Sequence, residues 1–165
     1  MKQLIFFPMI SLAFFACNQP ANNNQVLQKR IDSLEKKLAD TYRPGLGEFM
    51  SIIQVHHAKL WFAGQNQNWK LADFEINEIR ESVAGIQQYC TDRPESKSIG
   101  MIDQPIKSVI NAIQQKDTAL FKPGFVLLTA TCNNCHKATS HEFNVIKIPD
   151  YPPFSNQNFK VENVH

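Results

Sequence analysis

The chain has 165 residues, 17 basic and 15 acidic side chains, and a formal net charge of +2. That length holds one domain with a proper core. The near balance of charge gives no basis for a nucleic-acid binder or for electrostatic attachment to a membrane surface. The chain opens on Met1-Lys2-Gln3, continues as an apolar run over residues 4–16, and then reaches Cys17. A basic start, a short apolar stretch and a small residue before a boundary predict a secretory signal over residues 1–16. The run is too short for a comfortable transmembrane helix.

Phe14-Phe15-Ala16-Cys17 resembles a bacterial lipobox, with Phe14 and Phe15 bulkier than the usual pattern. The resemblance implies cleavage before Cys17 and lipid attachment to its thiol. The alternative is an ordinary signal peptide followed by an unrelated cysteine. Either way the compartment is extracytoplasmic, a periplasmic space. Asn18 stands where an Asp is often linked to inner-membrane retention, which favours the outer membrane for the anchor.

Residues 18–25 are polar and rich in Asn, with Pro20 among them, and predict a flexible tether. Residues 26–40 then turn helical. Leu27, Ile31, Leu34 and Leu38 follow a 4-3-4 spacing, the seam of a short coiled coil. Lys29, Arg30, Glu35, Lys36 and Lys37 cover the other faces. This seam either pairs with a second copy, giving a homodimer, or docks on the chain's own domain. Residues 17–44 therefore form a lipidated tether with a short amphipathic helix, closed by the break Tyr42-Arg43-Pro44-Gly45.

Four further helices are predicted over residues 45–140. The first covers about residues 45–63, with Leu46, Met50, Ile53, His57, Leu60 and Gly64 on one stripe and Gly64 as its stop. The second starts at Asn68 as N-cap and runs to about Tyr89. Ala72, Ile76, Ile79, Val83, Ile86 and Cys90 share its stripe, which makes Cys90 a buried free thiol rather than a reactive one. A loop carrying Asp92, Pro94 and Ser96 follows. Asp103 caps the third helix, with Pro105 in its first turn and Ile106, Val109, Ile110 and Ile113 facing inward. Lys116-Asp117 is a tight connection, with Asp117 capping the fourth helix. Pro123 should kink that helix or delay its regular start.

The inward stripe of the fourth helix is Phe121, Phe125, Leu128, Cys132 and Cys135, and it ends in Cys132-Asn133-Asn134-Cys135-His136. C-x-x-C-H is the attachment signature of c-type haem. Two thiols at this spacing can bond to the two vinyl groups of one porphyrin, and the adjacent imidazole reaches the iron. Positions i, i+3 and i+4 share a helix face, so all three side chains address one ring. A thioredoxin-like dithiol would need a βαβ setting that is missing here. A zinc site with His141 as fourth ligand would need the neighbours Cys135 and His136 to share one tetrahedral ion. A Cys132–Cys135 disulfide is open only without haem.

Residues 141–165 change character. Asn144-Val145-Ile146-Lys147-Ile148-Pro149 and Tyr151-Pro152-Pro153-Phe154 are extended, apolar and proline-bound. They are expected to lie across the helices and cover one haem edge. The alternative is a disordered end.

An all-α, antiparallel four-helix bundle with the haem motif near the end of its last helix resembles the class II c-type cytochromes, the cytochrome c′ group. The likeness covers about residues 45–140. Gly47-Glu48, His57-Ala58-Lys59-Leu60-Trp61-Phe62-Ala63-Gly64, Asn68-Trp69 and Leu128-Thr129-Ala130 are also similar to a group of bacterial haem-binding proteins. The class II resemblance implies one covalent haem c with His136 as proximal ligand. It leaves the sixth position open, or fills it with a Met of the first helix. Met50 fits the Met pattern, and a thioether trans to imidazole favours electron transfer. Otherwise Met50 is core packing.

His57 is the alternative distal ligand, or else a core histidine. Seven residues separate it from Met50, about 10 Å along a helix, so both cannot reach one iron. His56 faces the flank. Trp61, Trp69 and Phe62 either pack around the ring or belong to the core. Arg43, Lys59 and Lys147 are candidate partners for the haem propionates. The expected function is a membrane-anchored cytochrome passing single electrons to redox partner proteins. The alternatives are a five-coordinate haem module for NO or CO, and a peroxidase-like enzyme with His57 as acid–base group.

Overall fold

The computed structural model describes residues 21–39, 41 and 43–161. The expected signal, the lipobox with Cys17, and residues 18–20 lie outside them. The chain divides into two units, Met1–Tyr42 and Arg43–His165. Among the described residues the fold is all-α, with no strand. No helix among the described residues is long and apolar enough to cross a membrane.

The described part of the first unit is α1, Ala21–Ala39. Helix therefore takes in residues 21–25, which the polar composition assigns to the tether. Asn and Gln have modest helix preference, yet they can extend a helix already nucleated by the following turns. The seam residues Leu27, Ile31, Leu34 and Leu38 are all exposed.

The second unit holds α2 (Leu46–Gln65), α3 (Trp69–Tyr89), a 3₁₀ helix (Pro94–Ile102), α4 (Asp103–Gln115) and α5 (Thr118–Ala138). α2 packs on α3 and α5, and α4 packs on α3 and α5. The 3₁₀ helix packs against α3, α4 and α5. The predicted stripes are the core: Ile53 and Leu60 of α2, Ile76, Ile79 and Ile86 of α3, Val109 and Ile113 of α4, and Phe121, Phe125 and Leu128 of α5 are buried. Phe49 of α2 joins them although it lies off the expected stripe.

Helix ends follow local chemistry in two places. The Asn68 side chain accepts from Leu71 N at 3.3 Å, and Asp117 Oδ1 accepts from Ala119 N at 2.7 Å and Leu120 N at 3.1 Å. Lys116, with φ 54°, makes the left-handed turn between α4 and α5. Asp103 departs from expectation. The 3₁₀ helix runs directly into α4, so Asp103 is the first residue of a continuing helical segment and its side chain makes no cap. The signal missed in the loop is Pro94 at the first position of that 3₁₀ helix. Pro123 does not delay α5, which starts at Thr118 with Pro123 inside it and exposed.

Gly64 is not a stop either. α2 continues through it to Gln65. A β-carbon at Gly64 would lie 2.1 Å from Phe121 Cζ, so the glycine exists to let the Phe121 ring press onto the α2 backbone. Around that contact, Phe121 lies 6.4 Å from Trp61 and 6.1 Å from Trp69, ring centre to ring centre. The substitution Gly64→Ala is expected to destabilise the fold by about 1–3 kcal/mol through overpacking. A lower urea midpoint at unchanged denaturant dependence is the measurement that checks it.

Candidate functional site

α2, the 3₁₀ helix, α5 and the segment after α5 enclose one cavity of about 530 Å³. Its lining includes Met50 and His57 of α2, and Cys132, Cys135 and His136 of α5. The five residues singled out from sequence for cofactor binding therefore share one wall system. The volume falls within the ~300–1,000 Å³ usual for cofactor and ligand sites.

The motif sits on the last turns of α5, so Cys132, Cys135 and His136 lie on one face as the spacing requires. Both cysteines are free thiols. Burial pushes Cys132 up to about 11 and also raises Cys135, so both are protonated at neutral pH. His136 Nδ1 lies 2.6 Å from the Asn144 carbonyl oxygen. A carbonyl only accepts, so Nδ1 carries the proton and Nε2 keeps its lone pair. A backbone carbonyl holding one ring nitrogen while the other is left for a metal is the usual setting of a metal-ligating histidine.

His57 is set differently. It is buried, its ring stacks on Phe125 at 4.4 Å, and its Nε2 lies 2.8 Å from Thr129 Oγ1. The Thr129 hydroxyl sends its single proton to the Phe125 carbonyl at 2.9 Å. Its lone pair therefore takes the Nε2–H of His57, and only Nδ1 of that ring keeps a lone pair. Burial pulls the His57 pKa down to about 4, so the ring is neutral at pH 7.

The segment after α5 supplies part of the cavity wall. Asn133 grips Ile146 at two points: its Nδ2 donates to Ile146 O at 2.8 Å, and its Oδ1 accepts from Ile146 N at 2.8 Å. Asn144, Ile146 and His141 line the cavity as a result. Farther along, Phe159 is buried and lies 5.7 Å from the Phe62 ring. Ile148 and Phe159 thus pack against the core, whereas Val145, Tyr151 and Phe154 of the extended apolar stretches are exposed. Asn133, one of the two variable positions of the motif, was not singled out from sequence. Nothing in C-x-x-C-H marks that position, because its partner is backbone.

The candidate propionate cations are elsewhere. Arg43 lies over the Tyr89 ring, Lys59 reaches toward Glu75, and Lys147 pairs with Asp150. None of them lines the cavity. Arg93 is the only Lys or Arg among the described residues that does. It donates to Glu95 at 2.7 Å, and that bond holds the Glu95 carboxyl below its usual pKa range. Trp61, Trp69 and Phe62 also lie off the cavity, in the aromatic core around Phe121, Phe125 and Phe159. His56 turns to the α3 side, where Nδ1 meets the fully buried Glu75 carboxylate at 2.5 Å. Cys90 is buried with a raised pKa, in keeping with its place at the end of an apolar stripe.

Among the described residues, no group of three or more His, Cys, Asp or Glu side chains could hold a metal ion. A porphyrin does not need Cys132, Cys135 and His136 to converge, because thiols address its edge and an imidazole its centre. No family model, curated protein or solved structure matches the chain.

Two outcomes test this geometry. Because the folded pKa of His57 is below its unfolded value of 6.5, its contribution is retained above pH 6.5 and lost as pH falls toward about 4. For the polypeptide alone, urea titrations across that window should lose up to about 1.4 kcal/mol per pH unit, and His57→Phe should flatten the slope. Asn133→Ala should free residues 144–146. Hydrogen exchange at the Ile146 amide is expected to accelerate by at least an order of magnitude while core amides of α3 are unchanged.

Proposed function

We propose that this chain is a c-type cytochrome that carries single electrons in an extracytoplasmic space. One haem c is held covalently by Cys132 and Cys135, with His136 as the proximal ligand. Residues 45–140 act on this reading as an antiparallel four-helix bundle of the class II kind, with residues 17–44 as a lipid-anchored tether and helix and residues 141–165 as a covering tail. The anchor at Cys17 holds it to the membrane, with Asn18 favouring the outer one. Redox proteins are its partners.

The observation that carries the reading is the hydrogen bond from His136 Nδ1 to Asn144 O. It fixes the imidazole as an Nε2 donor beside two free thiols in one cavity. When bound, haem c supplies a one-electron couple whose potential follows its axial ligands and burial. The chain's residues supply the setting. The cavity surface is mostly apolar, with Ile53, Ile99 and Ile102 in its wall. Arg93, the cavity's one Lys or Arg among the described residues, would be the cation available to a propionate, in exchange for its bond to Glu95.

Met50 is the better candidate than His57 for the sixth position. The Nε2 of His57 is committed to Thr129, whereas Met50 lines the cavity with no hydrogen bond to lose. His57 then holds α2 against α5 and leaves a neutral ring near the ligand side.

Optical spectra of the holoprotein test the proposal. The Cys132→Ala, Cys135→Ala double variant should release haem on acid–acetone extraction, whereas the native chain retains it. A low-spin spectrum with a far-red methionine–iron band, abolished by Met50→Ala, is expected. A high-spin spectrum with ready CO uptake by the native protein would replace the electron carrier with a gas-binding module.

A further inference from the structure

We propose that α1 joins two copies of this chain as a parallel, in-register, two-stranded coiled coil. This inference is independent of the haem reading. α1 is 19 residues long, and its large aliphatic side chains form one exposed row: Leu27 is 55% exposed, Ile31 46%, Leu34 64% and Leu38 65%. Most helical stability in proteins comes from packing an amphipathic face, so a helix with such a row gains most of its stability by covering it.

The row dictates its own partner. The 4-3-4 spacing places Leu27 and Leu34 at d and Ile31 and Leu38 at a. Ile31 is the β-branched residue among these a positions, and β-branching at a with leucine at d favours two parallel strands. One heptad before Ile31 stands Asn24, also at a. A polar residue at a single a position fixes register and oligomer state.

Charge selects the direction. Arg30 falls at g and Glu35 at e. In a parallel pair, each g residue faces the e residue five positions on in the other helix, so Arg30 meets Glu35 of the partner subunit, and the dyad repeats the pair. An antiparallel pair would bring the g rows together and set Arg30 near Lys37, two like charges. Lys29 and Lys36 fall at f, on the outer face, where they oppose nothing in the dimer. This match of opposite signs is what commits the seam to a second copy.

The test uses the full chain with single cysteines introduced by Leu34→Cys or Ser33→Cys, oxidised mildly and read on non-reducing gels against the unsubstituted chain. Only a parallel, in-register pair sets position 34 against itself. Leu34→Cys should therefore give mostly dimer and Ser33→Cys, at an outer position, only the background of the unsubstituted chain. Adding Arg30→Glu should cut the dimer severalfold, and Arg30→Glu with Glu35→Arg should restore it. Equal yields from positions 33 and 34, or indifference to Arg30→Glu, would overturn the proposal, as docking on the chain's own domain or on a lipid surface would produce. Sedimentation equilibrium of the full chain carrying Cys17→Ser adds a measurement without any change in the seam. A dimer mass is expected, and a monomer at all concentrations would overturn it.

Discussion

The close approach of α5 to α2 sets the rest of the second unit. Phe121 occupies the space that a β-carbon on Gly64 would take. Side chains four residues apart on a helix share a face, so the next residue in line, Phe125, stacks on His57, and the next, Thr129, receives its Nε2–H. Packing first and hydrogen bonding second thus bring the two helices together at matched heights. Three residues beyond Thr129 the same face becomes Cys132, now bordering the cavity instead of the core. The cavity lies at the end of this seam, where large aromatic side chains give way to thiols and an imidazole.

The end of α5 also carries its own lid. Asn133 and His136 lie within the five-residue motif, and both are bonded to the backbone of residues 144–146. Orienting the imidazole and closing the cavity are therefore one event. A chain that lost its grip on residues 144–146 would leave His136 free to rotate and the cavity open to water.

Three cations singled out from the sequence are held away from the cavity. The basic side chains of Arg43, Lys59 and Lys147 find a ring, a buried carboxylate and an aspartate respectively. Glu75 is fully buried and draws His56 and Lys59 to the α2–α3 face, away from the cavity. Arg93 is left at the edge, joined to Glu95. A buried carboxylate is costly unless paired, so Glu75 constrains where its neighbours point more than any surface charge does.

The C-x-x-C-H spacing, the helix stripes and the caps at Asn68 and Asp117 were legible in the amino-acid sequence because each is a local pattern. Helical periodicity depends on residues three and four apart, and C-x-x-C-H spans only five positions. What only the tertiary structure decided involves partners far apart in the chain. Gly64 reads as a helix stop until Phe121 is seen against it. Asp103 reads as a cap until the 3₁₀ helix is seen to run into α4. The tautomers of His57 and His136 depend on Thr129 and on the Asn144 carbonyl, and the second of these is a backbone atom that no side-chain pattern can announce. The exclusion of Arg43, Lys59 and Lys147 from the cavity, with Arg93 in their place, has the same origin. A long flexible cation has many reachable partners, and only packing chooses among them.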